Sequence, residues 1–198
     1  MRAMTQAQAT VTPLESRSRL SATDWELAAL EAIAEQGVSG AAVEPLARRL
    51  GVTKGSFYWH FPTREALLKA ALERWEGADE GDFLAGETIA DPRERLRALF
   101  RLTGRDLPSH AVYSALLRAL DHPIVQPVMS RVSQKRIDFL TATYTQLGLD
   151  PVAASFRARL TYAAYAGFLQ LSLQLGLPRL SHAEFDEYVE HAMSTLIP

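Results

Sequence analysis

Apolar residues recur three and four positions apart along most of this chain, the spacing of one face of an α-helix. The last segment is the clearest: Phe185, Tyr188, Val189, Ala192, Met193 and Leu196 fall on a single stripe. It sits behind Ser181-His182-Ala183-Glu184, a capping-box sequence. A similar box, Thr23-Asp24-Trp25-Glu26, predicts the start of a first helix. Leu30, Ile33 and Ala34 supply its buried stripe and Gly37 ends it. A second helix is expected from about Ala42 to Leu50, with Pro45 in its first turn. A third starts at Thr53 and reaches about His60. Pro62 closes it, and Thr63 caps a fourth that runs to about Trp75. The Gly- and acid-rich stretch Gly77 to Asp91 reads as a connection.

Asp91-Pro92 then opens a helix through Leu96, Leu99, Phe100 and Leu102. Pro108 breaks that pattern, and the next helix carries Tyr113, Leu116, Leu117 and Leu120. A long helix is expected over about Val128 to Leu147, and another from Pro151 to about Leu175, stopped by Gly176, Leu177 and Pro178. No segment alternates as a strand does. The fold class is therefore all-α, with about nine helices. Three divisions are expected: a disordered arm over 1–20, a three-helix module over 21–76, and a helical unit over 77–198.

The stretch from Leu160 to Pro178 contains no charged residue. About eighteen such residues in a row raise a membrane span. Gln170 and Gln174, with a terminal Gly and Pro, make this a poor one. A helix apolar on all sides is otherwise buried on all sides. One face then covers the chain's own core and the other meets a second copy, with Ala163, Ala164, Ala166 and Gly167 allowing close approach. Together with the last helix this gives half of a four-helix seam. The seam residues expected are Tyr162, Ala166, Gly167, Gln170, Phe185, Val189 and Met193.

Composition narrows the chemistry. Hydrophobic content of 47% and charged content of 22% describe an ordinary globular chain of 198 residues. Cysteine is absent, so there is no disulfide, thiolate metal site or Cys nucleophile. Met1 to Arg19 has no apolar core of a signal peptide, which makes the cytoplasm the expected location. Net charge is −2, but it is unevenly spread. Gly40 to Trp75 holds six cations and three acids, whereas Glu76 to Asp91 holds six acids and no cation. Such a basic module with an acidic joint fits a protein that meets nucleic acid at one end.

The most distinctive chemistry lies in Thr53-Lys54-Gly55-Ser56-Phe57-Tyr58-Trp59-His60-Phe61-Pro62-Thr63-Arg64. It is cationic, hydroxyl-rich and aromatic, with no acid. Phe57 and Phe61, four apart, point to a core. Tyr58 and Trp59 point elsewhere and are free to meet phosphate or a thymine methyl, though Trp59 also suits the rim of a core. Thr53 and Ser56 offer hydroxyls to phosphate, and Thr53 also suits a cap. Lys54 reaches a base edge or a phosphate, Gly55 permits close backbone approach, and His60 and Arg64 add donors to the backbone. Arg17 and Arg19, on the arm, could reach a minor groove.

Leu46-Ala47, Leu50-Gly51-Val52-Thr53, Gly55-Ser56-Phe57-Tyr58-Trp59-His60-Phe61 and Arg64-Glu65-Ala66-Leu67-Leu68 together resemble the DNA-binding domain of the tetracycline-repressor (TetR) family. The resemblance covers Gly37 to Trp75. The rest matches only in length and helical character. It implies a helix-turn-helix domain, a homodimer, a double-stranded DNA operator of near-palindromic sequence and a small-molecule effector that changes the spacing of two reading heads. Repression relieved by a small, largely apolar effector is the expected mode. One departure stands out. Thr or a basic residue is common where this chain has Ala42, Val43 and Glu44, and a carboxylate there is either repelled by phosphate or accepts from cytosine.

Candidates to line an effector pocket are Phe100, Tyr113, Leu117, Phe139, Tyr144, Tyr165 and Phe168, with Arg105, Arg118 or His110 as polar handles. Taken singly, each also fits an ordinary core position. No cofactor or enzyme motif is present, and the five histidines lack metal-ligand spacing. The competing reading is a helical effector-binding or interaction protein without DNA binding.

Overall fold

Ser21, not Thr23, opens the first helix. In the computed structural model, which describes residues 20–102, 108–177 and 180–197, α1 spans Ala22–Gln36. Its Ser21 hydroxyl accepts from the Asp24 amide while the Asp24 carboxylate accepts from the Ser21 amide. The expected box is two residues late because Ser21 and Thr23 each precede an acid three positions on. Gly37 (φ 76°) ends α1 as expected, in a conformation that suits glycine. The buried face of α1 is Trp25, Ala28, Ala29, Ala32 and Ile33, with Leu30 and Ala34 only partly covered.

A short 3-10 turn (Val38–Gly40) leads to α2 (Val43–Arg49), Gly51 turns the chain at φ 67°, and α3 follows (Lys54–Phe57). α3 is shorter than expected, because Tyr58 to His60 continue as hydrogen-bonded turns rather than helix. α4 covers Arg64–Glu87, opened by the Thr63 hydroxyl accepting from the Ala66 amide at 3.1 Å. Here the structure corrects the reading of 77–91 as a connection: its first eleven residues continue α4. Glycine lowers helix propensity by only about 1 kcal/mol, so Gly77 is not a stop by itself.

α5 (Pro92–Leu102) starts at Asp91, whose carboxylate accepts from the Arg93 amide at 2.9 Å. α6 (Pro108–Leu117), α7 (Val125–Gln146) and α8 (Pro151–Gln170) follow. Asp150 caps α8, accepting from Val152 and Ala153. α8 widens into a π-helical turn, Leu171–Leu175, which Gly176 closes at φ 62°. α9 (His182–Leu196) carries the expected Ser181–Glu184 capping box. The described residues thus form nine α-helices and no strand.

Two cores hold these helices. The first gathers Trp25, Ile33, Leu46, Phe57, Leu67, Leu68, Leu72 and Trp75 with Tyr113 and Leu116 of α6, Met129 of α7 and Leu169 of α8. The second joins α5, the later half of α7, the first half of α8 and α9 through Leu96, Leu140, Tyr144, Ala154, Ala158, Val189 and Met193. Trp75 stacks on Tyr113 at 6.4 Å, so the amino-terminal helices and α6 share one apolar interior. Glu76 of α4 adds a two-pronged ion pair with Arg131 of α7, at 3.1 and 2.7 Å.

Candidate nucleic-acid interface and sensing region

The short α3 divides its aromatics by face. Phe57 is fully buried, with its ring edge-on to Trp25 at 5.3 Å, and Phe61 lies beside it. Tyr58 and Trp59 stand out into solvent, 56% and 84% exposed. Leaving a tryptophan this exposed forgoes about 1.5–3 kcal/mol or more of apolar burial, which makes Trp59 the most telling side chain on this surface. Lys54, Gly55 and Thr53 are exposed on the same element, and Ser56 and His60 are half-covered. A Cβ at Gly55 would find only the Thr53 hydroxyl, at 3.7 Å, so the backbone there is open to approach.

Three of the predicted residues are used differently from the simplest expectation. Thr53 occupies the cap position of α3, but its hydroxyl makes no capping hydrogen bond. Lys54 pairs across the turn with Glu44 of α2, Nζ to Oε1 at 2.8 Å. Each holds the other charged: the hydrogen bond and charge of Lys54 lower the Glu44 pKa, and Glu44 raises that of Lys54. Arg64 does not point outward. Its guanidinium donates inward to the carbonyls of Val38 (2.7 Å) and Ala41 (2.8 Å), tying α4 to the turn before α2. That inward pairing replaces the expected role of a free cation facing phosphate. The sequence holds no local signal for it, because the two partners lie 26 and 23 positions upstream.

The effector candidates separate into different places. His110, Tyr113 and Tyr165 come together: Tyr165 lies 5.7 Å from Tyr113 and 6.1 Å from His110, ring centre to ring centre. Tyr162 completes the group, its hydroxyl 2.6 Å from that of Tyr113 and 2.9 Å from Ser133 Oγ. Arg136, absent from the expected set, is buried here with its guanidinium 4.5 Å from the Tyr113 ring centre and 5.3 Å from that of Tyr165. A signal existed: Arg136 falls on the apolar stripe Val128, Val132, Leu140 of α7 at four-residue spacing. Burial raises the pKa of Tyr113, helped by Tyr162, so its phenol keeps its proton.

Phe100 and Phe139 lie instead in the second core. Tyr144 is buried there too, its hydroxyl 2.7 Å from Thr161. Phe168 stacks on Tyr188 of α9 and meets the Phe185 ring at a tilt. Leu117 packs against the first core, and Arg118 donates to Gln174 at 2.7 Å. Arg105 falls outside the described residues, as do Arg17 and Arg19. A cavity of about 130 Å³ lies between α5 and α9, lined by Arg93, Arg97, Glu190, Met193, Ser194 and Ile197, none of them an expected lining residue.

The seam expected on α8 and α9 needs correction residue by residue. Val189 and Met193 are buried in the chain's own second core. Tyr162 is engaged with Tyr113 and Ser133, and Ala166 packs against the first core. Gln170 bonds to Ser114 of α6 in both directions, at 3.2 and 3.0 Å. Phe185 is partly buried against the second core, and Gly167 alone of the set is exposed, with open space around it. The outward face of α8 is a different row, Val152, Phe156, Leu160 and Gly167, continued by Leu171 of the π-helical turn. Uniform apolarity of the segment hid which side faces inward, since no charged residue marks the solvent side after Arg159. No helix among the described residues is long and apolar enough to cross a membrane, and no group of metal-binding side chains gathers among them.

These features define an all-α protein whose amino-terminal part is a helix-turn-helix module packed on a helical bundle. Residues 27–71 match the family model of the bacterial regulatory proteins, tetR family. The amino-terminal module is thus similar to the DNA-binding domain of the tetR family of bacterial regulatory proteins. The chain is similar to the HTH-type transcriptional regulator SrpR of Pseudomonas putida, 45% identical over 56 residues, covering 28% of this chain and 26% of that protein. It is similar also to the class A tetracycline repressor protein from transposon 1721 of Escherichia coli, 48% identical over 46 residues, covering 23% and 21%. The matches thus span about a quarter of the length of these relatives. Over the whole fold, the chain resembles the crystal structure of a transcriptional regulator from Rhodococcus sp. Rha1, with a TM-score of 0.73 and 26% identity over 90% of this chain and 94% of that one.

Proposed function

We propose that this chain is a dimeric, sequence-specific DNA-binding repressor, released from a near-palindromic operator by a small, largely apolar effector. The observation that carries the reading is the exposed row Lys54, Tyr58 and Trp59 on and just after a four-residue helix whose other aromatic is buried. Residues 21–76 serve as the reading module, with Thr53, Lys54, Gly55, Ser56, Tyr58, Trp59 and His60 against the duplex. Arg64 contributes by holding the module's shape. Residues 77–198 serve sensing and dimerisation. The apolar row of Val152, Phe156 and Leu160 on α8 and Leu171 in the turn after it supports a helix-to-helix seam with a second copy, because exposed apolar surface of this kind marks an interaction site. Two reading heads about 34–36 Å apart, or a multiple of that, then contact one face of a duplex. The group of buried Tyr113, His110 and Arg136 with partly buried Tyr162 and Tyr165 supports an effector site that combines aromatic walls with a few polar groups.

The test is duplex binding by fluorescence anisotropy across a salt series. Affinity falls linearly in log–log form as counterions are released. Lys54→Ala and Tyr58→Ala each weaken binding without changing the melting temperature. Salt-independent or absent binding favours instead an effector-binding protein that has left DNA.

A further inference from the structure

The turn of the helix-turn-helix brings one acid against the reading helix. Glu44, in the first turn of α2, and Lys54, the first residue of α3, meet at 2.8 Å, and both side chains are more than half exposed. Lys54 Nζ reaches Glu44 Oε1; among the described residues no hydrogen bond reaches Oε2. The pair therefore presents a hydrogen-bond acceptor and a hydrogen-bond donor side by side, beside the exposed Tyr58.

A lone carboxylate on such a surface is repelled by phosphate. Lys54 removes most of that penalty by neutralising it locally, and it leaves one oxygen able to accept. Phosphates and sugar-ring oxygens donate nothing, so the donors such an oxygen can meet in the major groove are base amino groups. Carboxylates pair with cytosine N4, and lysine pairs with guanine O6 and N7. In a C·G pair these atoms are neighbours on one groove edge, in the same donor–acceptor arrangement as the ion pair, reversed. Adenine also presents an amino donor, N6, beside an acceptor, N7, but the pairing that carboxylates make is with cytosine N4 and the pairing that lysine makes is with guanine O6 and N7, which together select C·G.

Resting on the DNA-binding reading above, we infer that Glu44 and Lys54 act as one unit that selects a C·G pair at one position of each half-site, with Glu44 taking the cytosine amino group and Lys54 the guanine edge. Glu44 is thus a specificity residue rather than a tolerated repulsive charge.

The experiment is selection of bound duplexes from a random library by the full chain and by its Glu44→Ala and Glu44→Gln variants. Circular dichroism serves as the check on fold; both changes are at an exposed side chain. The wild-type chain selects a two-fold motif with a C·G pair at one position per half. Glu44→Ala loses that preference alone, by roughly 5- to 150-fold in discrimination, and keeps the rest of the motif. Glu44→Gln moves the same position toward A·T, because an amide pairs with adenine N6 and N7. If the wild-type motif is retained at every position by both variants, the inference is overturned while DNA binding stands. It is overturned too if the variants only tighten binding to all sequences, since Glu44 would then merely repel phosphate. If the wild-type chain enriches no sequence, the DNA-binding reading falls and takes this one with it.

Discussion

Replacing Arg64 with alanine should loosen the reading module more than it removes charge from it. The guanidinium makes two hydrogen bonds, to Val38 O at 2.7 Å and Ala41 O at 2.8 Å, across the turn that leads into α2. Hydrogen bonds from a charged donor contribute about 1.5–3 kcal/mol each when well made. Arg64 is only half-buried, so water can reach part of the site and a total of roughly 2–3 kcal/mol is the reasonable figure. For a chain of this size that lowers the melting temperature by about 5–10 °C. Arg64→Lys separates geometry from charge. An ammonium is a single point donor and cannot straddle two carbonyls as a planar fork does. Arg64→Lys should therefore recover less than half of the lost stability, and DNA affinity should track the melting temperature in both variants. Thermal unfolding followed by circular dichroism, with anisotropy on the same samples, provides the readout. An Arg64→Ala melting temperature within about 2 °C of wild type would refute the structural role. So would a lysine variant that restores DNA affinity while staying thermally destabilised, since charge would then be the whole contribution to binding.

Gly40→Ala should destabilise by about 1–3 kcal/mol, because a Cβ there would sit 2.7 Å from Ala32 O and 2.9 Å from Gln36 Cβ; urea unfolding with no loss of stability would show that α1 and the turn can part cheaply. Phe156→Arg and Leu160→Arg should yield folded monomers, as should Gly167→Arg, and a dimer of unchanged strength by sedimentation in all three would remove the α8 seam. Burial raises the Tyr113 pKa above its unfolded value of about 10. The folded chain then holds a proton that the unfolded chain releases, so this contribution is intact below about pH 10 and is lost as pH rises beyond it. Tyr113→Phe should flatten that alkaline loss, in chemical denaturation at stepped pH, relative to wild type.

Much of the fold is legible because helix signals are local. Gly37, Asp91, Asp150, Gly176 and Ser181 each start or stop a helix by satisfying backbone groups within three or four residues. The assignment of Phe57 inward and Tyr58 and Trp59 outward follows from the same short-range geometry. What the sequence hides is what depends on distant partners. Arg64 reads as one more cation on a basic surface, and only the fold puts Val38 and Ala41 under it. Glu44 reads as an isolated anomaly, and only the turn sets Lys54 against it. On α8 a run without charges marks no polar side, so its buried and exposed faces look alike in sequence, and the expected seam falls mainly on the inward one. The spread of the effector candidates has the same origin: aromatic residues fill any core, and only tertiary packing decides that Tyr113 and Tyr165 meet while Phe100 and Phe139 lie elsewhere.

The shared interior of the amino-terminal helices and α6 sets how a signal could pass from the bundle to the reading surface. Close-packed interiors transmit displacement because they have no voids to absorb it. Tyr113 of α6 lies against Trp75 of α4 and, through its hydroxyl, against Tyr162 of α8. Ser114, the next residue, is held by Gln170 and Gln174 at the junction of α8 and its π-helical turn. A ligand that separates Tyr113 from Tyr162 must therefore move α6, Trp75 or the end of α8, and all three belong to the core that also holds α1 and α4. Arg64, at the start of α4, anchors the turn before α2, so rotation of α4 carries the reading module with it. The ligand shifts the equilibrium only by its difference in affinity for the two arrangements. Substitutions at Trp75 that keep its volume should leave coupling intact, whereas Trp75→Ala opens a gap beside Tyr113 and should uncouple ligand binding from DNA release even where both partners still bind.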